Sequence, residues 1–389
     1  MSKVIYIDET DIVNKHILLR VDFNVSLSSD KLSISDDIRI RQALPTINYL
    51  LKNGNRLILV SHLDRPKGRD PKLSLKIVAD HLQSLISDYK VILINNFLST
   101  DDQERIKAQV DKEIIMLENI RFYPEEKAND EMFAKKLAAL AEIYVNDAFG
   151  VSHRFDASIV GVPKYLPSYL GLLFKKEIRM ISQAIDKPQK PVVAIIGGAK
   201  ISTKINLLGR LMDTADYLLI GGGLANTFFC SEGNNIGKSY CELAEVNNAK
   251  KILLMSKEKK TALILPDDFI VKSGAVKKIN QIESDDEILD IGPETQAKFG
   301  AVIAKAKTII WNGPVGYIED PNFRRGTDFI YYSITQNPNA ISIVGGGDTL
   351  AAISKKEYLD KINHVSTGGG AMLEFIEKGT LPGIKAIEK

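Results

Sequence analysis

Five consecutive apolar residues, Val192–Ile196, run straight into Gly197-Gly198 and then into Lys200 and Lys204. An unbroken apolar run of this length reads as a strand buried on both faces, the kind found in parallel sheets covered by helices. The two glycines end it. The lysines, four apart, are expected on one face of the opening turns of a helix. The junction recurs. The chain's 27 glycines are an average share, yet eleven fall in four clusters: Gly197–Gly198, Gly221–Gly223, Gly345–Gly347 and Gly368–Gly370. Three clusters follow the apolar runs VVAII, YLLI and ISIV, and the fourth follows His364–Thr367. A further strand, Thr308–Trp311, leads into Asn312-Gly-Pro-Val-Gly. Glycine lets backbone N–H groups come close to a ligand, and helix N-termini favour anions. Repeated strand–glycine–helix junctions along one sheet edge are therefore expected to form a nucleotide-phosphate surface.

The first half alternates short strands with amphipathic segments, again the pattern of an α/β domain. Ligands of such sheets sit beyond the carboxyl ends of the strands, so the residues after each strand carry the information. The strand His16–Val25 bears Asp22 and Asn24 at its end. Arg56–Val60 is followed by Ser61, His62, Asp64 and Arg65, and Ile114–Leu117 by Glu118, Asn119 and Arg121. Ile143–Val145 is followed by Asn146 and Asp147, then His153 and Arg154. A helix between the first two strands carries Arg39 and Arg41; two apart, they cannot share a face, so at most one points into a site. Arginine grips carboxylate and phosphate in a bidentate fork. The implied ligand is a small polyanion, with His62 as a binding group rather than an acid–base catalyst.

Between the halves, Phe174, Ile178, Ile181 and Ile185 mark an amphipathic helix that Pro188 and Pro191 stop. The expected organisation is a first domain over 1–171, a linker helix over 172–190 and a second domain over 191–371. At 389 residues, two domains are the default. The net charge of +2 gives no general case for nucleic acid or membrane. Cys230 and Cys241 fit no disulfide framework or zinc spacing, and the N-terminus lacks a signal-peptide core, so a cytoplasmic setting is expected. Known phosphate motifs fail: Gly233–Ser239 misses the P-loop spacing by one, and Asn226 stands where a dinucleotide fingerprint needs glycine. The protein-kinase set and the serine-hydrolase elbow are absent. Asp348, after the third glycine cluster, reads either as a helix N-cap or as a ligand that holds Mg²⁺ through substrate phosphates.

Taken together the motifs resemble those of the phosphoglycerate kinase family over essentially the whole chain. They are RVDFNV (20–25), SHLDRP (61–66), LENIRF (117–122), NDAFG (146–150), SHR (152–154), GGAKISTK (197–204), GGGLANTF (221–228), WNGPVG (311–316), RRGT (324–327), GGGDT (345–349) and STGGGA (366–371). The resemblance implies two Rossmann-like parallel-sheet domains joined by a linker helix and hinge, with the tail of about 372–389 packing back on the first. It implies transfer of phosphoryl between 1,3-bisphosphoglycerate and MgADP, giving 3-phosphoglycerate and MgATP; nothing in the sequence suggests more than a monomer. By match to the family's motifs, Asp22, Phe23, Asn24, Arg39, His62, Leu63, Asp64, Arg65, Arg121 and Arg154 would surround the glycerate and its phosphates. Lys200, Lys204, Gly222, Asn312, Pro314, Glu319, Gly346, Gly347, Asp348 and Thr349 would surround the nucleotide, with Asp348 toward magnesium. Arg39, Lys200, Gly369 and Gly370 would act on the moving phosphoryl group.

Three positions depart from the family pattern: Ser26 for a frequent Pro, Thr203 for a frequent Asp, and Asp64 for a frequent Gly. Asp64 sets a negative charge beside an anion site, and either turns outward or pairs with Arg65. Two other classes stay in view: a nicotinamide-dependent dehydrogenase, which the failed fingerprint disfavours, and a silent binding protein, whose support is Asp64.

Overall fold

The computed structural model describes residues 4–353 and 356–388. The chain divides into two units. One runs to Ile178 and takes in the C-terminal segment from Thr380; the other is Arg179–Gly379.

The first unit holds β1 (His16–Arg20), β2 (Arg56–Val60), β3 (Lys90–Ile94), β4 (Glu113–Leu117), β5 (Ile143–Asn146) and β6 (Ser168–Leu170). They form one parallel sheet in the order β3-β4-β2-β1-β5-β6. Arg20 stands level with Val60 on one side and Asn146 on the other. The loops after β1, β2 and β5 therefore emerge together, where the strand order reverses and α/β sheets bind their ligands. Helix α1 (Ile38–Lys52) buries Ile40, Ala43, Ile47 and Leu50, a 3-4-3 spacing, in the core that also takes Leu57 and Leu59 of β2. The ladder of β1 stops at Arg20, short of the expected Val25. Phe23 N–H goes to Ser61 Oγ at 2.9 Å and Asn24 N–H to Asp22 Oδ1 at 3.1 Å. Side-chain acceptors divert the backbone out of the ladder and turn the chain. Helix α2 (Leu172–Asp186) starts where Thr46 Oγ1 accepts Leu172 N–H at 3.0 Å and Asp147 Oδ1 accepts Phe174 N–H at 3.1 Å. In the same unit Gly383 N–H from the C-terminal segment bonds Ser152 O at 2.8 Å.

The second unit holds β7 (Val192–Ile196), β8 (Tyr217–Ile220), β9 (Ala262–Ile264), β10 (Thr308–Asn312), β11 (Ile341–Gly345) and β12 (His364–Val365). The order is β9-β8-β7-β10-β11-β12, all parallel. Helices α3 (Ile205–Leu211), α4 (Gly223–Ser231), α5 (Gly347–Ala352) and α6 (Gly369–Lys378) come after β7, β8, β11 and β12. A separate antiparallel sheet, with Asp268–Val271 between Val276–Lys278 and Ile288–Ile291, was not legible in the sequence.

Ile196 is level with Asn312, and Asn312 with Gly345. The turns after β7 and β10 then lock together. Gly197 N–H donates to Asn312 O at 2.9 Å, Gly198 N–H to Pro314 O at 2.8 Å and Gly222 N–H to Val315 O at 3.0 Å. Gly198 and Gly313 have φ of +95° and +89°. A Cβ on Gly197 would run into the Pro314 carbonyl, and one on Gly369 into the Gly346 backbone. The first two glycine clusters therefore allow backbone to meet backbone, and the N–H groups of Gly197, Gly198, Gly221 and Gly222 are bonded within the protein. Gly197→Ala is expected to cost about 1–3 kcal/mol by overpacking. In a unit of this size that lowers the melting midpoint by roughly 2–4 °C per kcal/mol. Differential scanning calorimetry of the variant checks it; an unchanged midpoint would show that the turns can part freely.

Candidate functional site

At the carboxyl edge of the first sheet the structure assembles a buried cationic cluster. Arg20, the last residue of β1, is fully buried. Its Nε donates to Ser158 Oγ at 2.8 Å, and its Nη1 reaches Val21 O. Its Nη2 lies 3.2 Å from His62 Nδ1. A guanidinium can only donate, so Nδ1 accepts and the ring proton sits on Nε2. Nε2 faces Asp22 Oδ1 at 3.9 Å. This is not an ion pair, because His62 is neutral: burial and then the charges of Arg20, Arg121, Arg39 and Arg154 hold it well below the usual imidazole range.

Arg39 and Arg41 separate as their spacing demands. Arg41 is 58% exposed and pairs with Asp37 at 2.8 Å. Arg39 is 24% exposed, lies 3.7 Å from Asp22 and reaches Asn24 O. Arg121 is buried; its Nη1 donates to Asp64 O at 2.8 Å, and its Nη2 is 3.7 Å from Asp156 Oδ2. Burial, Arg154 and Arg20 bring it down to about 10, which leaves it cationic at neutral pH. Its Nε and Nη2, and the Nε of Arg154, are buried without hydrogen-bond partners. Buried donors are rarely left so. The cluster thus offers buried, cationic donors that an anion could accept from.

Phe23 and Leu63 hold the loops in place: Phe23 N–H bonds Ser61, and Leu63 exchanges bonds with Asn119. Asp64 has φ of +56°, a left-handed conformation that glycine enters freely and that costs most L-residues about 1–2 kcal/mol. Its carboxylate turns outward, exposed, with Lys31 Nζ 3.8 Å away. Its backbone stays in the site, since Asp64 N–H donates to Asn24 Oδ1 at 2.6 Å while its carbonyl takes Arg121. Arg65 is exposed beside it.

Sequence reasoning missed Arg20, Glu126 and Ser158. Glu126 is fully buried and accepts Ser158 Oγ–H at 2.5 Å and Ser158 N–H at 2.9 Å. Burial raises its carboxyl despite Arg20 nearby. A charged residue closing an otherwise apolar strand was the available signal for Arg20. Glu126 had none.

In the second unit two cavities meet at Gly198 and Ala199. The smaller, about 390 Å³, is lined by Lys200, Lys204, Asn312, Gly346, Gly347, Thr349, Gly369 and Gly370. Lys204 is not on the first turn of a helix with Lys200, as its spacing suggested; it is the residue before α3, and Lys200 sits in the preceding turn. The difference brings the Lys204 Nζ onto Asn312 Oδ1, while Asn312 Nδ2 donates to Gly345 O at 2.7 Å. The Thr349 hydroxyl accepts Gly313 N–H at 2.7 Å and donates to Gly345 O at 3.0 Å. The open N–H groups come from the N-terminus of α6, at Gly369 and Gly370. The backbone of Asp348 lies in α5 between Gly347 and Thr349, and its side chain lies outside the described residues. The larger cavity, about 1170 Å³, takes Gly222, Pro314 and Glu319 together with apolar walls such as Phe269 and Val315. That volume accommodates a nucleotide-sized ligand.

An arginine cluster on one doubly wound unit and a glycine-lined cavity pair on another are the parts of a phosphotransferase. The phosphoglycerate kinase family model matches residues 7–379. The phosphoglycerate kinase of Dictyoglomus turgidum is 47% identical over 397 residues, covering 100% of both chains. A relative from Arabidopsis thaliana named "Phosphoglycerate kinase 3, cytosolic" is 42% identical, covering 98% of this chain and 97% of its own. The solved structure of phosphoglycerate kinase from Coxiella burnetii is 39% identical with a TM-score of 0.85, covering 99% of each chain. The chain belongs to the phosphoglycerate kinase family. It is a kinase of glycolysis whose reaction is phosphoryl exchange between 1,3-bisphosphoglycerate with ADP and 3-phosphoglycerate with ATP. Among the described residues no helix is long and apolar enough to cross a membrane.

Because folded His62 stays neutral while the unfolded chain takes up a proton near pH 6.5, stability should fall as pH drops through that value. In His62→Gln this component should vanish, so the loss of melting temperature between pH 7.5 and 5.5 should be smaller than in the parent. Thermal melts at both pH values check it; equal losses would mean that His62 protonates in the fold.

Proposed function

We propose that the first unit binds the glycerate substrate and the second the magnesium nucleotide. In this reading Asp22, Asn24, His62 and the arginines 39, 65, 121 and 154 hold 3-phosphoglycerate or 1,3-bisphosphoglycerate. The observation that carries it is the buried Arg121, with N–H donors that lack partners inside a cationic cluster. Lys200, Lys204, Asn312 and the α6 N-terminus take the phosphates, and the larger cavity takes base and ribose beside Glu319. The outward turn of Asp64 supports an intact anion site despite the departure from glycine.

The residues fit a magnesium ion that arrives with the nucleotide. Position 348 sits between two residues that line the phosphate cavity, and Mg²⁺ is commonly held by one or two carboxylates plus phosphate oxygens. When bound, the ion would neutralise phosphate charge, with Asp348 as its protein ligand.

In the ATP-forming direction an oxygen of the ADP β-phosphate attacks the acyl phosphorus, and the carboxylate of 3-phosphoglycerate leaves. Both are already anions, so no general base is needed. Catalysis is in-line positioning and charge stabilisation, with Arg39 and Lys200 on the transferring group. A neutral, Nε2-protonated His62 donates a hydrogen bond without moving a proton. The half-sites lie on different units, so transfer requires hinge closure. Both lie on one chain, which supports a monomer, and the cytosolic name of one relative supports a cytoplasmic setting.

With 3-phosphoglycerate, ATP and Mg²⁺, a coupled assay is expected to read formation of 1,3-bisphosphoglycerate, abolished when the metal is chelated. Arg39→Ala should lower kcat by about 10³-fold or more, as loss of a positioned arginine does in other phosphoryl transfers. A near-normal kcat in that variant would remove Arg39 from the transferring group.

A further inference from the structure

Glu242 belongs to none of the motifs that define the site, yet it reaches into the catalytic turn. Its Oε1 accepts Ser202 Oγ–H at 2.7 Å and its Oε2 accepts Ser202 N–H at 3.0 Å. Ser202 lies two residues after Lys200 and two before Lys204, in the non-helical turn between β7 and α3. That turn has no ladder of its own to hold it. Its inner side is anchored by Ile201, which is fully buried, and Thr203 Oγ1 donates to Lys200 O at 3.1 Å.

Glu242 is itself fixed. Its N–H donates to Thr227 Oγ1 of α4 at 3.2 Å, and Asn226 Nδ2 of α4 donates to Tyr240 O at 3.2 Å. The carboxylate is thus a strut from a packed helix to the turn that presents Lys200. Burial would raise its carboxyl, but the two bonds from Ser202, the nearby backbone of Ile201 and the charge of Lys200 outweigh that and hold it below the usual carboxylate range. It is charged at neutral pH, and each bond to it is of the stronger, charge-assisted kind.

We propose that Glu242 is a positioning residue for phosphoryl transfer: its carboxylate clamps the Ser202 backbone and hydroxyl so that Lys200 is aimed at the transferring group. The inference rests on the assignment of Lys200 to that group. The clamp acts on the rate of the chemical step. The residues assigned to glycerate all belong to the other unit.

The test is a double-mutant cycle on the full chain with Lys200→Ala, Glu242→Ala and the pair, together with Glu242→Gln. Glu242→Ala should lower kcat about tenfold or more, within the ~10²-fold that a misplacement of about 1 Å can cost. The KM for 3-phosphoglycerate should not change. The double variant should be no slower than Lys200→Ala alone, because Glu242 acts through Lys200. Glu242→Gln keeps one acceptor oxygen and should recover part of the loss. If Lys200→Ala slows the enzyme but Glu242→Ala does not, or if the two losses multiply, Glu242 does not act through Lys200 and the positioning role is overturned. A fall in melting temperature with kcat unchanged at 25 °C would overturn it as well, leaving a structural strut. If Lys200→Ala keeps full kcat, the assignment of Lys200 fails and the positioning role fails with it.

Discussion

The turns after β7 and β10 approach each other until backbone touches backbone, and the paired cavities of the second unit depend on that contact. Gly197 and Gly313 are level because Ile196 and Asn312 are paired in the sheet. With no side chain between them, Gly197 N–H can reach Asn312 O and Gly198 N–H can reach Pro314 O. Asn312 is then held where its amide faces both Lys204 and Gly345. The cavity floor follows from these bonds: β11 contributes Gly345, Thr349 ties it to Gly313, and α6 brings Gly369 against Gly346. A larger residue at any of these contacts would spread the strand ends and dissolve the cradle.

The first unit depends on the opposite kind of constraint, a concentration of like charge. Arg20 and Arg121 are buried with few acids beside them, and burying charge without a partner is costly. The fold offsets this in three ways. Arg20 is satisfied by Ser158, a backbone carbonyl and the imidazole. His62 stays neutral, so it adds no further cation. Asp22 and Asp156 stand just beyond hydrogen-bond distance of the arginines, close enough to moderate the field and too far to satisfy the donors. What remains is the cost of the Arg121 and Arg154 donors that the protein leaves without partners.

Much of this was legible in the chain. The run VVAII matches its strand residue for residue, because a strand buried on both faces has no polar positions to blur its ends, and RLILV and YLLI match theirs as well. Residues placed after strands, such as His62, Arg121 and Asn312, do meet at sheet edges, since a parallel sheet delivers all its loops to one end. Spacing alone left Arg39 and Arg41 as a choice of one and the family resemblance picked Arg39; packing keeps Arg39 beside Asp22 and sends Arg41 outward to Asp37. The reading failed where a side chain intercepts the backbone. The expected strand to Val25 stops early: Val21 N–H still bonds Val60 O, but Ser61 and Asp22 take the N–H groups of Phe23 and Asn24. The lysine pair was read as helical because spacing cannot reveal a turn that is held from Glu242, forty residues away.

The sequence by itself determined the architecture class, the family and the chemistry on offer: apolar runs specify buried strands, glycines permit close backbone, and arginines and lysines select anions. Each is a local property of residue type and spacing. Tertiary structure decided what those residues face. It turned the Asp64 carboxylate toward Lys31 while keeping its backbone in the site, assigned the proton of His62 through Arg20, and spent the first glycine N–H groups on the protein itself. These outcomes depend on partners far apart in the chain, and hydrogen bonding and burial act on distance in space, which the order of residues does not record.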